Sequence, residues 1–498
     1  MSSCLTNPHN KQFYIAGNWV DPVVPASLDV INPATEKVIS AISVGSSEDV
    51  NKAVAAARAA FPTFSDSSKE TRLELLRRVL ACYNAREDDI AYAVSVEMGS
   101  PITAAHEAQV WAGRVHIEGT IAALEAFQFE TDLPSGTRIV KEGIGVVSLI
   151  TPWNWTMNQI VCKVAPALAT GCTMVLKPSE IAPLSGIVFA EIMVAAGCPP
   201  GVFNMVNGDG PSVGAPMSRH PEVDMVSFTG SVRAGALVAK EAANTVKRVC
   251  QELGGKSPNL ILDDVEDLAA AVSSGVENCF DNTGQNCDAA TRLLVPRHLH
   301  AQALVFAKAA AEKCVIGDPL DKATTMGPLV SGVQWEKVQA LIQVGIDEGG
   351  TLVCGGVGKP GGEATEAGYF VKPTIFGGVV RTMTLANEEV FGPVLVIMPY
   401  DDDEEAVSIA NDSVYGLAAF ISSGNLEHAQ RIGKRLRAGQ VNINNPDWDT
   451  GAPFGGYKQS GNGREYGVWG IHDYLETKAI IGFAKPKSAE TAGGAAEK

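Results

Sequence analysis

Two successive blocks in which apolar strand-like runs alternate with helical stretches predict an α/β protein with two wound sheets. A pair of extended segments without helical partners adds a third element, a small bridging β-sheet. Before these blocks, the first third of the chain reads as helical. Ser46, Ser47, Glu48 and Asp49 cap an Ala/Val-rich segment to about Ala60. Leucines at helical spacing mark 67–84, and Pro101 precedes a long amphipathic run to about Phe127.

The first alternation spans 145–253. Its strand candidates are 146–150, 173–176, 203–206, 224–228 and 247–251, separated by helical segments centred near Ala165, Phe189, Met217 and Val238. These runs are apolar almost throughout, as expected of parallel strands covered on both faces, and ligands are expected at their carboxyl ends. The second alternation runs from Pro258 to about Asn445, with strands expected at 259–262, 293–295, 395–398, 418–421 and 440–443 and helices at 299–312 and 333–348. The extended segments 137–142 and 474–483 are candidates for an intersubunit sheet. The resulting partition is a nucleotide-type domain at 1–123 and 144–254, a second α/β domain at 255–459, bridging segments at 124–143 and 460–485, and a tail at 486–498 whose Ala, Gly, Glu and Lys content predicts disorder.

With 498 residues the chain can bury two or three large cores. Its 39 basic and 56 acidic residues give a formal charge of −17, which argues against nucleic acid or an acidic membrane surface as partner. The ten cysteines show no C-x-x-C pair and no ladder of spacings for disulfides or zinc, so no metal is expected. Free thiols, a polar start without signal-peptide character and the lack of a long apolar run make the cytoplasm the expected location.

Three residues beside strands are candidates for carrying chemistry. Cys287 sits in a polar, Gly-containing segment, Asp281 to Arg292, just before an apolar run, and is the candidate nucleophile. Glu252 ends a strand at the glycine pair Gly254-Gly255, where partial burial would make it a general base. Asn154, in the loop after 146–150, can donate an amide N–H to an oxyanion. Each has a commoner role when taken alone: a packing thiol, a solvated acid, a turn asparagine.

Glycine-bearing turns offer phosphate sites. The segment 208–214 is a near-match to a dinucleotide fingerprint, spoiled by Pro211 and an extra residue, and a helix-initiating turn explains it better. Phe228-Thr229-Gly230-Ser231 joins a strand to a helix, where the Ser231 hydroxyl and first-turn N–H groups can hold a pyrophosphate. At the next strand end, Lys177 and Glu180 can grip a ribose. A carboxylate there disfavours a 2′-phosphate, which points to NAD over NADP.

Together these residues resemble the aldehyde dehydrogenase superfamily, in its NAD-dependent, non-acylating branch, from about Phe13 to Phe483. Seven motifs carry the resemblance: Pro152-Trp153-Asn154, Lys177-Pro178-Ser179-Glu180, 228–231, Glu252-Leu253-Gly254-Gly255-Lys256, Gly284-Gln285-Asn286-Cys287, Glu389-Val390-Phe391-Gly392-Pro393, and 453–461. The resemblance implies a Rossmann-like cofactor domain, a catalytic domain and a bridging sheet, assembled as a homo-oligomer, a tetramer before a dimer. It implies Cys287 as nucleophile, Glu252 as general base, and Asn154 with the Cys287 backbone N–H as oxyanion hole. Cofactor contacts are implied at Trp153, Lys177, Ser179, Glu180, Gly210, Phe228, Gly230, Ser231, Leu253, Glu389 and Phe391.

The substrate tunnel is implied at Trp155, Cys162, Asp281, Asn286, Asp288, Trp448 and Phe454. Asp281 stands where relatives often carry an aromatic residue and Cys162 where several carry tryptophan, so the full aromatic cage of a betaine-aldehyde enzyme is missing. The expected substrate is a neutral aromatic or medium-chain aldehyde, with betaine or amino aldehydes as the alternative. No arginine in the inferred lining would clamp a carboxylate-bearing semialdehyde. A cysteine-dependent esterase or hydrolase is the rival from another class, and it would need His298 or His300 beside Cys287.

Overall fold

The computed structural model describes residues 3–485, so the expectation for the tail 486–498 lies outside the described residues. Five parallel strands form the centre of the first sheet, in the spatial order Arg248–Glu252, Met225–Thr229, Val146–Ile150, Thr173–Lys177 and Phe203–Met205. Strand order reverses between Val146–Ile150 and Met225–Thr229, which opens a crevice at that switch point. Register aligns the carboxyl ends: Phe228 pairs with Ile150, Ile150 with Lys177, and Thr229 with Glu252. The motif residues that follow these strands therefore share one edge.

The first third is not all helical. Phe13–Ile15 and Asn18–Val20 extend the first sheet as an antiparallel hairpin, and Ser27–Asn32 pairs with Lys37–Ser43. These strands are short and mixed in polarity, so periodicity does not reveal them. The helix Ser47–Ser65 does begin at the expected cap, with Ser46 and Asp49 bonding reciprocally. The run after Pro101 is broken by wide turns at Ala105–Val110 before the helix Trp111–Ala126. Around Met217 the expected helix shrinks to Ala215–Arg219, behind a turn capped by Asp209.

The second sheet has seven strands. Thr351–Cys354 pairs antiparallel with Thr374–Gly377, followed in space by Val394–Tyr400, Arg292–Pro296, Pro258–Ile261, Ala418–Ser422 and Gln440–Ile443, all parallel. The strands at 351–354 and 374–377 are additions to the expected set. Arg292, fully buried, ties this sheet to the helix Asp403–Asn411 by donating to the carbonyls of Ile409 and Ala410, which a helix end otherwise leaves unpaired.

Only a short link, 253–257, separates the last parallel strand of the first sheet from Pro258–Ile261. The carboxyl edge of one sheet consequently faces the amino edge of the other, and the segment carrying Cys287 enters this gap just ahead of Arg292–Pro296. The third sheet is small: Leu475–Ile480 pairs with Arg138–Gly143, which pairs with Glu130–Asp132. Gly461–Asn462, inside the segment expected to bridge, instead adds an edge to the first sheet against Gln251 and Glu252. Among the described residues, no helix is long and apolar enough to cross a membrane.

Candidate active site

Two clefts meet at Cys287. One, of about 190 Å³, lies at the switch point and is lined by Trp153, Asn154, Ser231, Leu253, Glu389 and Phe391 among others; Gln334 and Lys337 also reach it. The other, of about 340 Å³, is lined by Trp155, Asp281, Asn286, Asp288, Trp448 and Phe454, together with Trp111, Asn158 and Tyr466. Cys287 belongs to both linings.

Backbone packing holds the cysteine segment. Asn282, Thr283 and Gly284 take consecutive left-handed conformations, with φ of 50°, 60° and 69°. A side chain at Gly284 would strike the Gly392 carbonyl at 2.3 Å, and one at Gly255 would meet the Cys287 carbonyl oxygen at 2.2 Å. The Gln285 side chain bridges outward, accepting from Val330 N–H at 2.9 Å. Asn154 is buried and fixed at both ends: its backbone carbonyl accepts from Gln109 and Asn282, and its Nδ2 donates to the Gln285 carbonyl at 2.9 Å. One amide hydrogen is thereby used, and one remains for the cleft.

The electrostatics are acidic. Burial pushes the Cys287 thiol well above its ordinary value, and the carboxylates of Asp288, Glu252 and Glu389 push it further. Glu252 is 1% exposed, and among the described residues neither carboxylate oxygen has a hydrogen-bond partner. Burial raises its pKa well above the usual range, and the charge of Glu465 adds to this while Lys163 and Arg464 oppose it. Glu252 lines neither cleft; its Oε1 faces Gly455, where a side chain would come within 2.7 Å.

Behind it lies a buried ion pair that strand and turn motifs do not reveal. Lys163 Nζ bonds Glu465 Oε1 and donates to Thr229 Oγ1 at 2.8 Å. Lys163 sits on Thr156–Thr170, a helix buried on every side. Cys162, the preceding residue on that helix, departs from the expected tunnel lining. It lines neither cleft, and its Sγ bonds the Gln159 carbonyl at 3.6 Å and Glu465 Oε2 at 3.3 Å.

On the other expected positions, Glu389 Oε1 accepts from Gly255 N–H at 2.9 Å, and a side chain at Gly254 would lie 2.5 Å from Glu389 Oε2. The glycine pair is thus what lets this buried carboxylate reach the cleft. Ser231 caps the helix Val232–Ala242 through Ala234 N–H, with its hydroxyl hydrogen still free to donate. Any side chain at Gly230 would meet the Phe228 ring at 2.6 Å. Phe391, at φ 60°, meets Trp153 edge-on at 5.4 Å. Lys177 and Glu180 pair at 3.1 Å one strand farther along the same edge; they, Ser179, Phe228 and Gly210 stand outside the 190 Å³ lining. Gly210 has open space around it, so no close approach requires a glycine there.

In the larger cleft, Asp281 Oδ2 accepts from Asn286 Nδ2 at 3.2 Å, and Asn286 Oδ1 accepts from Trp155 Nε1 at 2.5 Å. Burial raises the Asp281 pKa; it pushes Asp288 up to about 6, with Asp281 contributing. Among the described residues, no histidine lines either cleft. His298 is exposed, and His300 lies beyond the strand Arg292–Pro296, near the Ile397 carbonyl. The hydrolase arrangement is therefore not formed.

The sequence profile of the aldehyde dehydrogenase family matches residues 19–480. The chain belongs to the aldehyde dehydrogenase family. It is 53% identical over 474 residues to 3-succinoylsemialdehyde-pyridine dehydrogenase of a Pseudomonas species, covering 95% of this chain and 98% of that one. Aldehyde dehydrogenase C of Pseudomonas syringae, solved as a cysteine-to-alanine mutant with NAD+ and octanal, superposes with a TM-score of 0.95 at 51% identity, covering 96% of this chain and 98% of its own. Betaine aldehyde dehydrogenase of Staphylococcus aureus, solved with NAD+, superposes at 0.93 with 35% identity, covering 99% and 100%.

Proposed function

We propose that this enzyme oxidises neutral aromatic or medium-chain aldehydes to carboxylic acids with NAD, through a thiohemiacetal and a thioester on Cys287. The observation that carries the reading is the position of Cys287 in both clefts. The smaller cleft suits a dinucleotide: Ser231 and the first turn of Val232–Ala242 offer donors to a pyrophosphate, and Glu389 offers a carboxylate to a ribose. Lys177 and Glu180 would hold the second ribose, Glu180 opposing a 2′-phosphate. NAD bound there supplies the hydride acceptor.

Cys287 releases its thiol proton to solvent and adds to the aldehyde carbon; the free hydrogen of Asn154 Nδ2 and the Cys287 backbone N–H receive the developing oxyanion, whose collapse would give up hydride to the acceptor and leave the thioester. Glu252 then takes a proton from the water that cleaves the thioester. In its buried position Glu252 favours the neutral acid, so it must first give up its proton to act as this base.

Substrate class follows from the larger cleft. Trp111, Trp155, Trp448 and Phe454 supply flat apolar surface, and among the described residues no arginine or lysine lines it to hold a carboxylate. A relative named for a pyridine-bearing semialdehyde and another crystallised with octanal fall within this class. Betaine and amino aldehydes remain the second reading, favoured by Asp281 and Asp288 in the lining. NADH formation across octanal, benzaldehyde, betaine aldehyde and succinic semialdehyde tests it; a highest kcat/KM for succinic semialdehyde would refute the neutral assignment.

The partition into 1–123 with 144–254, 255–459, and bridging segments at 124–143 and 460–485 follows the three larger sheets, except that Gly461–Asn462 joins the first. Assembly as a tetramer fits two open sheet edges, Leu475–Ile480 with mostly exposed side chains and Gln440–Ile443. The lack of a disulfide among the described residues suits a cytoplasmic enzyme.

A further inference from the structure

His116 is enclosed, 3% exposed, and has no part in the chemistry above. It lies on Trp111–Ala126 behind the wall of the larger cleft, and it touches three of the side chains that line it. Its Nε2 is 2.5 Å from Asn158 Oδ1, its ring centre is 4.3 Å from that of Tyr466, and it meets Trp448 edge-on at 5.2 Å. Burial holds the imidazole down to about 4, so it is neutral at working pH. An amide oxygen only accepts; the His116 tautomer in this contact must therefore donate from Nε2. That commits the Asn158 oxygen to the interior. Its Nδ2 is left toward Tyr466, whose hydroxyl at 3.4 Å is too far for a strong bond. A neutral N–H donor thus stands in a wall otherwise rich in aromatic rings.

We propose that His116 is a positioning residue that locks the Asn158 amide with its N–H bonds toward the tunnel, so that the enzyme selects aldehydes carrying a hydrogen-bond acceptor beyond the aldehyde carbon, an oxo group or a ring nitrogen. This rests on the reading of the larger cleft as the aldehyde site. A plain alkyl chain takes water from the amide and returns nothing, whereas an acceptor replaces the lost bond, a difference of about tenfold in kcat/KM.

The test compares octanal with keto-octanals bearing the carbonyl at successive chain positions, by NADH formation, in wild type, His116→Phe and His116→Gln. The wild type should prefer its best keto-octanal about tenfold. His116→Phe keeps a ring but cannot donate; the ratio should fall to about twofold or less, through KM for the keto-octanal, with KM for NAD unmoved. His116→Gln, which can donate from its amide, should recover most of the ratio. Asn158→Asp replaces the donor by an acceptor and should reverse the preference, which keeps the test decisive should His116→Phe not fold. Octanal turnover without any keto preference in the wild type, or a ratio untouched by His116→Phe and Asn158→Asp, would overturn the inference alone. Oxidation of neither compound would overturn the aldehyde reading with it.

Discussion

The two clefts that share Cys287 are built in different ways. The smaller one is assembled from strand ends in register on one sheet edge, Ile150, Thr229 and Glu252 with the turns that follow them, so a few contiguous motifs specify most of it. The larger one draws Trp111, Asn158, Asp281, Trp448 and Tyr466 from segments far apart in the chain. A cleft made of turns is constrained by backbone chemistry that permits few residue types. A cleft made of side chains projecting from helices and loops can change its lining without disturbing the fold, which is where a family varies its substrates.

Breaking the point common to both clefts should have the largest effect. Cys287→Ala is expected to lower kcat/KM by about 10⁴-fold or more, while NAD binding measured by calorimetry stays within about twofold, because the thiol reacts with the aldehyde and not with the dinucleotide. A Cys287→Ala protein with appreciable turnover would defeat the mechanism.

Glu252→Gln separates the half-reactions and comes next. Rapid mixing should show a burst of NADH close to one per active site, followed by a steady state slowed about 10²- to 10⁴-fold. Loss of the burst would place Glu252 earlier, in thiol activation.

The smaller cleft can be struck alone. In Gly254→Ala the new methyl would lie 2.5 Å from Glu389 Oε2, so the carboxylate must leave its position. KM for NAD should rise about tenfold or more, with KM for octanal little changed; equal effects on both would show that the clefts are not separable. Glu180→Ser should narrow the preference for NAD over NADP by about tenfold, read as the ratio of kcat/KM values.

The smallest expected effect belongs to the larger cleft and depends on pH. With its carboxyl pushed up to about 6, Asp288 is mainly neutral at pH 5 and charged at 7.5. The ratio of kcat/KM for betaine aldehyde to that for octanal should rise about fivefold across this range, as a negative charge appears beside the reacting carbon. A flat ratio would mean that Asp288 does not face the substrate.

These two clefts also differ in how much of them could be read in advance. The parallel strands of the first sheet were legible because burial on both faces makes them continuous apolar runs, as at Val146–Ile150, where expected and observed bounds coincide. The hairpin Phe13–Val20 region and the strands at 351–354 and 374–377 were not, because short edge strands carry little pattern. Lys163 and Glu465 illustrate the harder case. A lysine in a helix and a glutamate before a tyrosine read as ordinary surface charges, yet Thr156–Thr170 is wrapped on all sides and the two meet across about three hundred residues of chain.

By itself, the amino-acid sequence determined the α/β class, the wound first sheet, the strand-end placement of Asn154, Lys177, Ser231 and Glu252, and the unusual setting of Cys287, because each depends on local periodicity or on turn chemistry within a few residues. Only the tertiary structure decided that Cys162 bonds Glu465 and stays out of the cleft lining, that Glu252 rests against Gly455, and that His116 stands behind Asn158 and Tyr466. The reason is physical: burial and hydrogen-bond partners of a helical or loop side chain are set by what the rest of the chain packs against it, and no local pattern encodes that neighbour.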